Sequence, residues 1–459
     1  MRHTRYGYWL EEAGQIEPTA PLSADTTADV VIVGAGYLGL WTAWQLKALE
    51  PALDVVVLEA GLAGHGPSGR NGGFVSTLWD DLPILREAVG DTRAVEVCRA
   101  SERAVRGIGS WCEANGVDAW YRHGGTLQVA TSESQLGEWD EVVAACREVD
   151  AAQEAVALPA DDVAARCASP AFLGGMLLPT AANVQPARLS LGLRAKVLEA
   201  GVRLHERTTV RSLSREGRAA TPSGTVTAGA AVLAANSATV GFGGYRLALG
   251  VASSHMVISE PVPDVIEEIG WTAGENIHDC RTLLHYFRTT ADGRIALGWA
   301  GGRMGAGSRH RERLDIDAAA VTHAIAALRR FFPQLADRQI THAWGGPIDV
   351  SPTHLPIFGS RGNVHYGFGF TGNGVGPTYL GGEILARLAL DRRDETTGLA
   401  IVEPDRKLMP PEPLRFAGGT VIRAALVRRD RAYDRGTEPD PLTGFVASLP
   451  RRLGLRLPR

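Results

Sequence analysis

The stretch from Ala28 to Gly73, ADVVIVGAGYLGLWTAWQLKALEPALDVVVLEAGLAGHGPSGRNGG, constrains this chain more than any other. An apolar, β-branched run (Val30 to Val33) enters a turn carrying Gly34, Gly36 and Gly39. A helical pattern continues to Leu49, and a second apolar run, Val55 to Leu58, ends on Glu59 and Ala60. Strand, glycine turn, helix, strand and acid, in that order, are what a dinucleotide-binding unit requires. Gly34 makes the tight turn, Gly36 lets backbone approach a pyrophosphate, and Gly39 packs helix on strand. The pyrophosphate would sit at the helix N-terminus, where free N–H groups and the helix dipole favour negative charge. Glu59, 20 residues beyond Gly39, is placed to accept hydrogen bonds from a ribose diol, with Ala60 beside it.

Three features favour FAD over NAD. The unit begins near the N-terminus and is followed at once by a second glycine-rich turn, Ser68-Gly69-Arg70-Asn71-Gly72-Gly73. TVTAGAAVLAANSAT, near residue 225, reads as a later strand returning to the same nucleotide fold and stopping at Asn236. HYGFGFTGNGVGPTYLGGEILARLAL gives a strand, a third glycine turn (Thr371, Gly372, Asn373, Gly374) and a helix opening near Val375. One nicotinamide needs no third glycine loop, whereas a flavin's pyrimidine edge suits a second helix N-terminus. Three unrelated loops are the competing reading.

VVIVGAGYLGL, LEAG, SGRNGG and GFGFTGNGV resemble the D-amino-acid oxidase/sarcosine oxidase (glycine oxidase-like) flavoproteins. SGRNGG is the form of the second loop found in the gamma-glutamylputrescine oxidase type. The resemblance runs in order over roughly residues 25 to 400. It implies an α/β Rossmann-like FAD-binding domain interleaved with a substrate domain on an antiparallel sheet, and oxidation of a C–N bond in an amine or amino acid. The expected FAD domain is discontinuous, over 28–80, 183–245 and 344–400. The substrate domain takes 81–182 and 246–343, with an N-terminal arm at 1–27 and a C-terminal tail at 401–459. By the same resemblance Arg70, Asn71, Gly72 and Gly73 pass the isoalloxazine, Val210 lies by the adenosine, and Gly346 and the Thr371–Val375 loop hold the flavin. A surface Arg70 paired with Asp80 or Asp81 is the competing reading.

Oxidising a neutral amine at a flavin needs no obligatory strong base, because the nitrogen lone pair supplies the push. The site needs an aromatic box and a group for the substrate's distal charge. TLLHYFRTTADGRIALGWAGG reads as a hairpin turning at Asp292-Gly293, where period two sets Tyr286 and Arg288 on one face and His285 on the other. Tyr286, His255 on the adjacent run and Trp299 on the partner strand are the candidate catalytic residues. A buried structural role is the competing reading of His255. Arg288 either clamps a substrate carboxylate or pairs with Asp292 or Asp279.

Departures from the family pattern narrow the chemistry. Sarcosine oxidase-like members attach FAD through a cysteine where this chain has Trp344-Gly345-Gly346, and dimethylglycine oxidase-like members use a histidine where it has Arg70-Asn71. FAD is therefore expected to be non-covalent. The lysine that sarcosine oxidases place beside the flavin is missing from Arg294–Ala300, RIALGWA, so molecular oxygen or another electron acceptor stays open. An aromatic monooxygenase would want Asp where GFTGNGVG has Asn373, and a non-catalytic FAD protein would not need the aromatic and basic content of residues 255 to 300.

Composition adds exclusions. A net charge of −4 argues against nucleic acid as a partner, and no apolar run is long enough to span a bilayer. The start, MRHTRYGYWLEEAG, lacks a signal-peptide core, so a cytoplasmic location is expected. Cys98, Cys112, Cys146, Cys167 and Cys280 are scattered without a CxxC, which leaves no thiol-redox pair and no metal site. Residues 401–459 carry 12 Lys/Arg against 7 Asp/Glu. VIRAALVRRDRAYDR there reads as an amphipathic helix with Val421, Ile422, Ala425 and Leu426 on one side, either packed across the body or docked to a membrane surface or partner.

Overall fold

The structure, a computed structural model, describes residues 1–308, 314–405 and 407–455. Two large sheets organise it. In the first, Arg203–His205, Val55–Leu58, Thr26–Val33, Thr225–Leu233 and Val364–Phe368 lie side by side and parallel. Parallel strands of this kind are apolar on both faces because both are covered. Val30 and Ile32 pack with Trp41 and Ile384, while Val31 and Val33 pack with Tyr245 and Tyr366. Helices Tyr37–Leu49 and Val375–Ala389 approach closely on one face: a Cβ at Gly382 would stand 2.6 Å from that of Trp41.

The second sheet has nine strands, mostly antiparallel. Its centre is Ile340–Val350, Gly250–Ser259, Ile295–Trp299, His285–Thr289 and Asn276–Asp279, extended through Thr126–Val129, Gly175–Leu178 and Val156–Leu158. Helix Ala318–Phe331, capped by Asp317, covers the face bearing Val257, Phe287 and Leu297. The other face turns toward the parallel-sheet part. Strand Ile340–Val350 stays paired with Gly250–Ser259 as far as Gly250↔Val350, so the chain leaves this sheet at Ser351 and not at Trp344.

The arm belongs to the body. Arg2–His3 adds an edge strand to Ile340–Val350, and helix Gly7–Ala13 buries Tyr8 and Trp9, whereas Tyr6 is exposed. Trp9 meets Trp344 edge to face, and its carbonyl accepts from Gln185 Nε2 at 2.8 Å. At the other end, Leu414–Tyr433 and Pro441–Arg452 form a helical hairpin. Arg423 Nε donates to the Gly301 and Gly302 carbonyls, which ties the hairpin across the body. Ala425 and Leu426 face inward as expected, but Val421 points to solvent because the inner line of this helix runs through Arg415, Ala425, Leu426 and Asp430.

Candidate active site

The first glycine turn lies at the carboxyl ends of the parallel strands, where open α/β sheets bind ligands. Gly34 has φ +104°, and a Cβ there would stand 2.5 Å from the Ala234 carbonyl oxygen. A Cβ at Gly39 would stand 1.9 Å from the Gly34 carbonyl oxygen, so the helix rests directly on the turn. Gly36 differs. Its φ is ordinary, and a Cβ would meet only Ser68 Oγ, at 2.9 Å. Ser68 Oγ accepts from Tyr37 N, the first amide of the helix, at 2.8 Å, while the cap residue Gly36 itself has no side chain to offer. At the end of the next strand, Glu59 takes Ala35 N on one oxygen (2.9 Å) and Gly61 N on the other (2.7 Å). Burial raises its pKa against those two hydrogen bonds. Ala60 is exposed beside it, and Val210 is half-buried against the cluster containing Val31 and Leu58. An open glycine at a helix N-terminus and an acid one strand away fit a dinucleotide.

Arg70 is buried, and its partners are Asp315 at 2.9 Å and the Arg5 and Gly345 carbonyls at 3.0 Å. This corrects the pairing with Asp80 or Asp81: Arg70 bridges the second loop, the arm and the large sheet. Asn71 folds the loop on itself, donating to the Pro67 and Ser68 carbonyls and accepting from Gly73 N at 2.7 Å. Gly72 lies under the ring of Tyr286, with a Cβ there 2.9 Å from it. Above Gly346 the space is open, the nearest atom to a Cβ being the Arg70 guanidinium carbon at 3.9 Å.

The third glycine loop and the helix after it meet the chain just beyond the second, past strand Phe74–Val75. A Cβ at Gly376 would stand 2.5 Å from the Ser76 carbonyl oxygen, and Asn373 Nδ2 donates to the Thr77 carbonyl at 3.4 Å. Gly369, Thr371 and Gly372 all have positive φ, +51° for Thr371, a strained conformation of the kind that clusters at binding sites. Asp349 holds the loop through its carbonyl to Thr371 N and its carboxylate to Gly369 N. Burial pushes its carboxyl up to about 7. Gly374 and Val375 open helix Val375–Ala389 with no side-chain cap. Asn236, φ +47°, hydrogen-bonds Asp349 and keeps a buried Oδ1 without a partner among the described residues. Asp349 and Asn236 were not among the sequence candidates; the signal for Asn236 was the apolar run that stops at it.

The three candidate catalytic side chains do not share a face. Cross-strand register places Tyr286 opposite Gly298, and Gly298 opposite Met256, on the side toward the glycine loops. His255 is opposite Trp299, which is opposite His285, on the side under helix Ala318–Phe331. Trp299 lies 3.9 Å from the ring of His323 on that helix, and His285 joins Asp279 and His323 at 2.7 and 2.9 Å. His255 is fully buried, and burial lowers it from 6.5 to about 4. The unfolded chain therefore takes up this proton first. Stability present above pH 6.5 is lost as pH falls toward 4, by up to about 3 kcal/mol from this residue. Thermal melts of wild type and His255→Asn across that range should show a shallower acid loss in the variant.

Tyr286 and Arg288 share the face expected of them. Tyr286 Oη is 2.7 Å from Ser254 Oγ, which itself donates to the Trp299 carbonyl at 2.9 Å. The tyrosine therefore donates to the serine and keeps its own lone pairs free. Burial holds the phenol at about 12. Arg288 pairs with neither suggested aspartate: Asp292 is taken by Tyr8, Thr290 and Arg294, and Asp279 by His285 and Arg281. Its guanidinium donates to the Val184 and Gly73 carbonyls, and burial lowers it to about 9.

The same face carries a group that sequence reading missed. His278 is the cross-strand neighbour of Tyr286. Asp80, Asp81 and His354 lie within electrostatic reach of it or of one another. Burial raises both carboxyls, and the neighbouring Asp81 charge raises Asp80 further. Asp80 Oδ1 and His354 Nδ1 have no hydrogen-bond partner among the described residues. Here the chain sets imidazole and acidic groups near the ring of Tyr286.

Residues 29–388 match the model of the family described as FAD dependent oxidoreductase. The gamma-glutamylputrescine oxidoreductase of Escherichia coli is 27% identical over 442 residues, covering 93% of this chain and 96% of that protein. A probable oxidoreductase, OrdL, of Rhizobium meliloti is 28% identical over 442 residues, covering 92% and 95%. Among solved structures, glycine oxidase from Geobacillus kaustophilus has the same fold, with a TM-score of 0.66 at 19% identity over 80% of this chain and 96% of that one. No helix among the described residues is long and apolar enough to cross a membrane.

Proposed function

This chain belongs to the family of FAD-dependent oxidoreductases, and from that premise we propose that it oxidises the C–N bond of an amine or amino acid to an imine, which water then hydrolyses. One observation carries the reading: Tyr286, hydrogen-bonded to Ser254, stands over Gly72 with His278 on the same face and Asp80 within electrostatic reach of that histidine. FAD, when bound, supplies a two-electron acceptor for hydride from the substrate carbon. Gly34, Gly36, Gly39, Ser68 and Glu59 would hold its dinucleotide part, with Ala60 and Val210 beside the adenosine. Asn71, Gly72, Gly73, Gly346 and Thr371–Val375 would hold its ring, and Arg70 would fix the loop that carries them.

The phenol oxygen of Tyr286 accepts a hydrogen bond from the substrate N–H. That contact orients the amine and leaves the nitrogen lone pair free to form the C=N bond as the carbon loses hydride. A phenol held at about 12 stays protonated and does not act as a base. Asp80 and Asp81 suit a cationic approach to the site, while the aromatic wall disfavours the ammonium once water is excluded. kcat/KM should therefore rise with pH until the bound amine is mostly deprotonated. Anaerobic bleaching of the yellow protein with a panel of amines, diamines and amino acids tests the proposal. Bleaching by a hydroxy acid alone, or by an aromatic compound with NADPH, would overturn it.

Gly298, not a lysine, lies against the ring of Tyr286. This favours, as the second reading, a dehydrogenase that passes electrons to an acceptor other than oxygen. Reoxidation of the reduced enzyme by oxygen and by a quinone, followed by stopped flow, separates the two. FAD is expected to be released intact on acid precipitation, since all five cysteines are buried with raised pKa values and none lies in a glycine loop. Colour remaining with the pellet would show attachment.

A further inference from the structure

The C-terminal hairpin leaves several of its large apolar side chains in water. Helix Pro441–Arg452 turns Thr443, Ala447 and Pro450 inward, against Ala425 and Leu426 of helix Leu414–Tyr433. Two of its large apolar residues face water, Leu442 at 71% exposed and Phe445 at 50%, and Leu453 just past its end is 67% exposed, while Val446 packs against the Ala425–Leu426 cluster. On the partner helix Leu414 and Val421 are exposed as well. A helix settled on a protein body in water does the reverse, burying its bulk and exposing its small and polar side chains. Single exposed leucines are ordinary, but Leu442 and Phe445 stand exposed one turn apart on this helix, with Leu453 exposed just past its end, and clustered exposed apolar residues of this kind are what interaction sites present.

Charge identifies the occupant. Arg428, Arg431 and Arg435 are exposed along the neighbouring helix and its end, and no ion pair holds them among the described residues. Arg451 and Arg452 are exposed beside Leu453, with Arg452 lying over the Phe445 ring. The acidic groups of the hairpin are mostly engaged elsewhere. Asp430 pairs with Arg429, Asp434 sits between Arg281 and Arg330, and Asp440 caps Thr443 N. Glu438 alone stands exposed among the arginines without such a partner among the described residues. Large apolar side chains interleaved with unpaired arginines suit a helix lying in the plane of an anionic lipid surface. A second copy of this chain is disfavoured, because a two-fold contact through this face would set the same arginines against each other.

We propose that this hairpin docks the enzyme on an anionic membrane surface, with Leu442, Phe445 and Leu453 entering the headgroup boundary and the five arginines facing lipid phosphates. The helices lie on the bilayer and do not cross it. Co-sedimentation of the full-length holoenzyme with phosphatidylcholine vesicles, with and without phosphatidylglycerol, tests this. Binding is expected to the anionic vesicles only, and to weaken with salt. A Leu442→Ser/Phe445→Ser variant, altered only at exposed positions, should lose affinity by on the order of tenfold or more, and so should Arg428→Glu/Arg431→Glu. Flavin content and turnover of a soluble amine should be unchanged in both. Failure to bind anionic vesicles, or equal binding by both variants, would overturn the proposal. So would a wild-type dimer in sedimentation that Phe445→Ser dissociates, since the face would then be an interface between copies.

Discussion

Gly36→Val is expected to give a protein that is folded, monodisperse and colourless. Gly36 sits in an ordinary backbone conformation, and an added Cβ meets only the movable Ser68 hydroxyl. The fold itself therefore tolerates a side chain here. A bound pyrophosphate does not, because its oxygens need the helix N-terminal amides at van der Waals distance from this Cα. FAD affinity should fall by at least about a hundredfold, with the far-UV spectrum and the melting point of the apoprotein close to wild type. Gly39→Val is the contrast: its Cβ would be driven into the Gly34 carbonyl, so the helix must lift from the strand and the apoprotein itself should lose about 3 kcal/mol or more. Flavin absorbance and apoprotein melts on the two variants separate a cofactor glycine from a packing glycine. A Gly36→Val protein with a full complement of flavin would refute the assignment.

That pair also shows what a sequence can carry. The glycines at 34, 36 and 39 and the acid at 59 are set by local backbone geometry, and they stand in the structure as the strand–turn–helix–strand pattern requires. The alternation that set Tyr286 and Arg288 together and His285 apart is equally local, and it holds. The grouping of Tyr286 with His255 and Trp299 depended on cross-strand register, with Trp299 13 residues away across its own hairpin and His255 31 residues away on the next strand. Register is fixed by pairing across the sheet, which no single segment encodes, and a one-residue offset sends a side chain to the opposite face. The partner of Arg70 was out of reach for the same reason, since Asp315 lies 245 residues away and only tertiary packing brings it close. Val421 went to the wrong side because its helix has polar residues, Arg415 and Asp430, on its buried line. The Asp80–His278–His354 group assembles from three distant segments, with no spacing to announce it.

The division of the large sheet into two faces has a direct kinetic consequence. Tyr286→Phe should lower kcat/KM for an amine substrate by about ten- to a hundredfold while FAD content stays at wild type. The ring remains packed on Gly72 and Gly298, so the wall of the site keeps its shape. What disappears is the oxygen that accepts the substrate N–H, and with it the orientation of the lone pair toward the breaking C–H bond. The loss should appear in the rate of anaerobic flavin bleaching at saturating amine, because orientation acts on the reacting complex and not only on binding. Trp299→Phe should behave oppositely. That side chain lies on His323 beneath helix Ala318–Phe331, so its truncation should cost roughly 1–3 kcal/mol of stability and leave the bleaching rate near wild type. If Trp299→Phe slows bleaching as much as Tyr286→Phe does, the reaction does not take place on the face that carries Tyr286, and the site must be sought on the other side of the sheet.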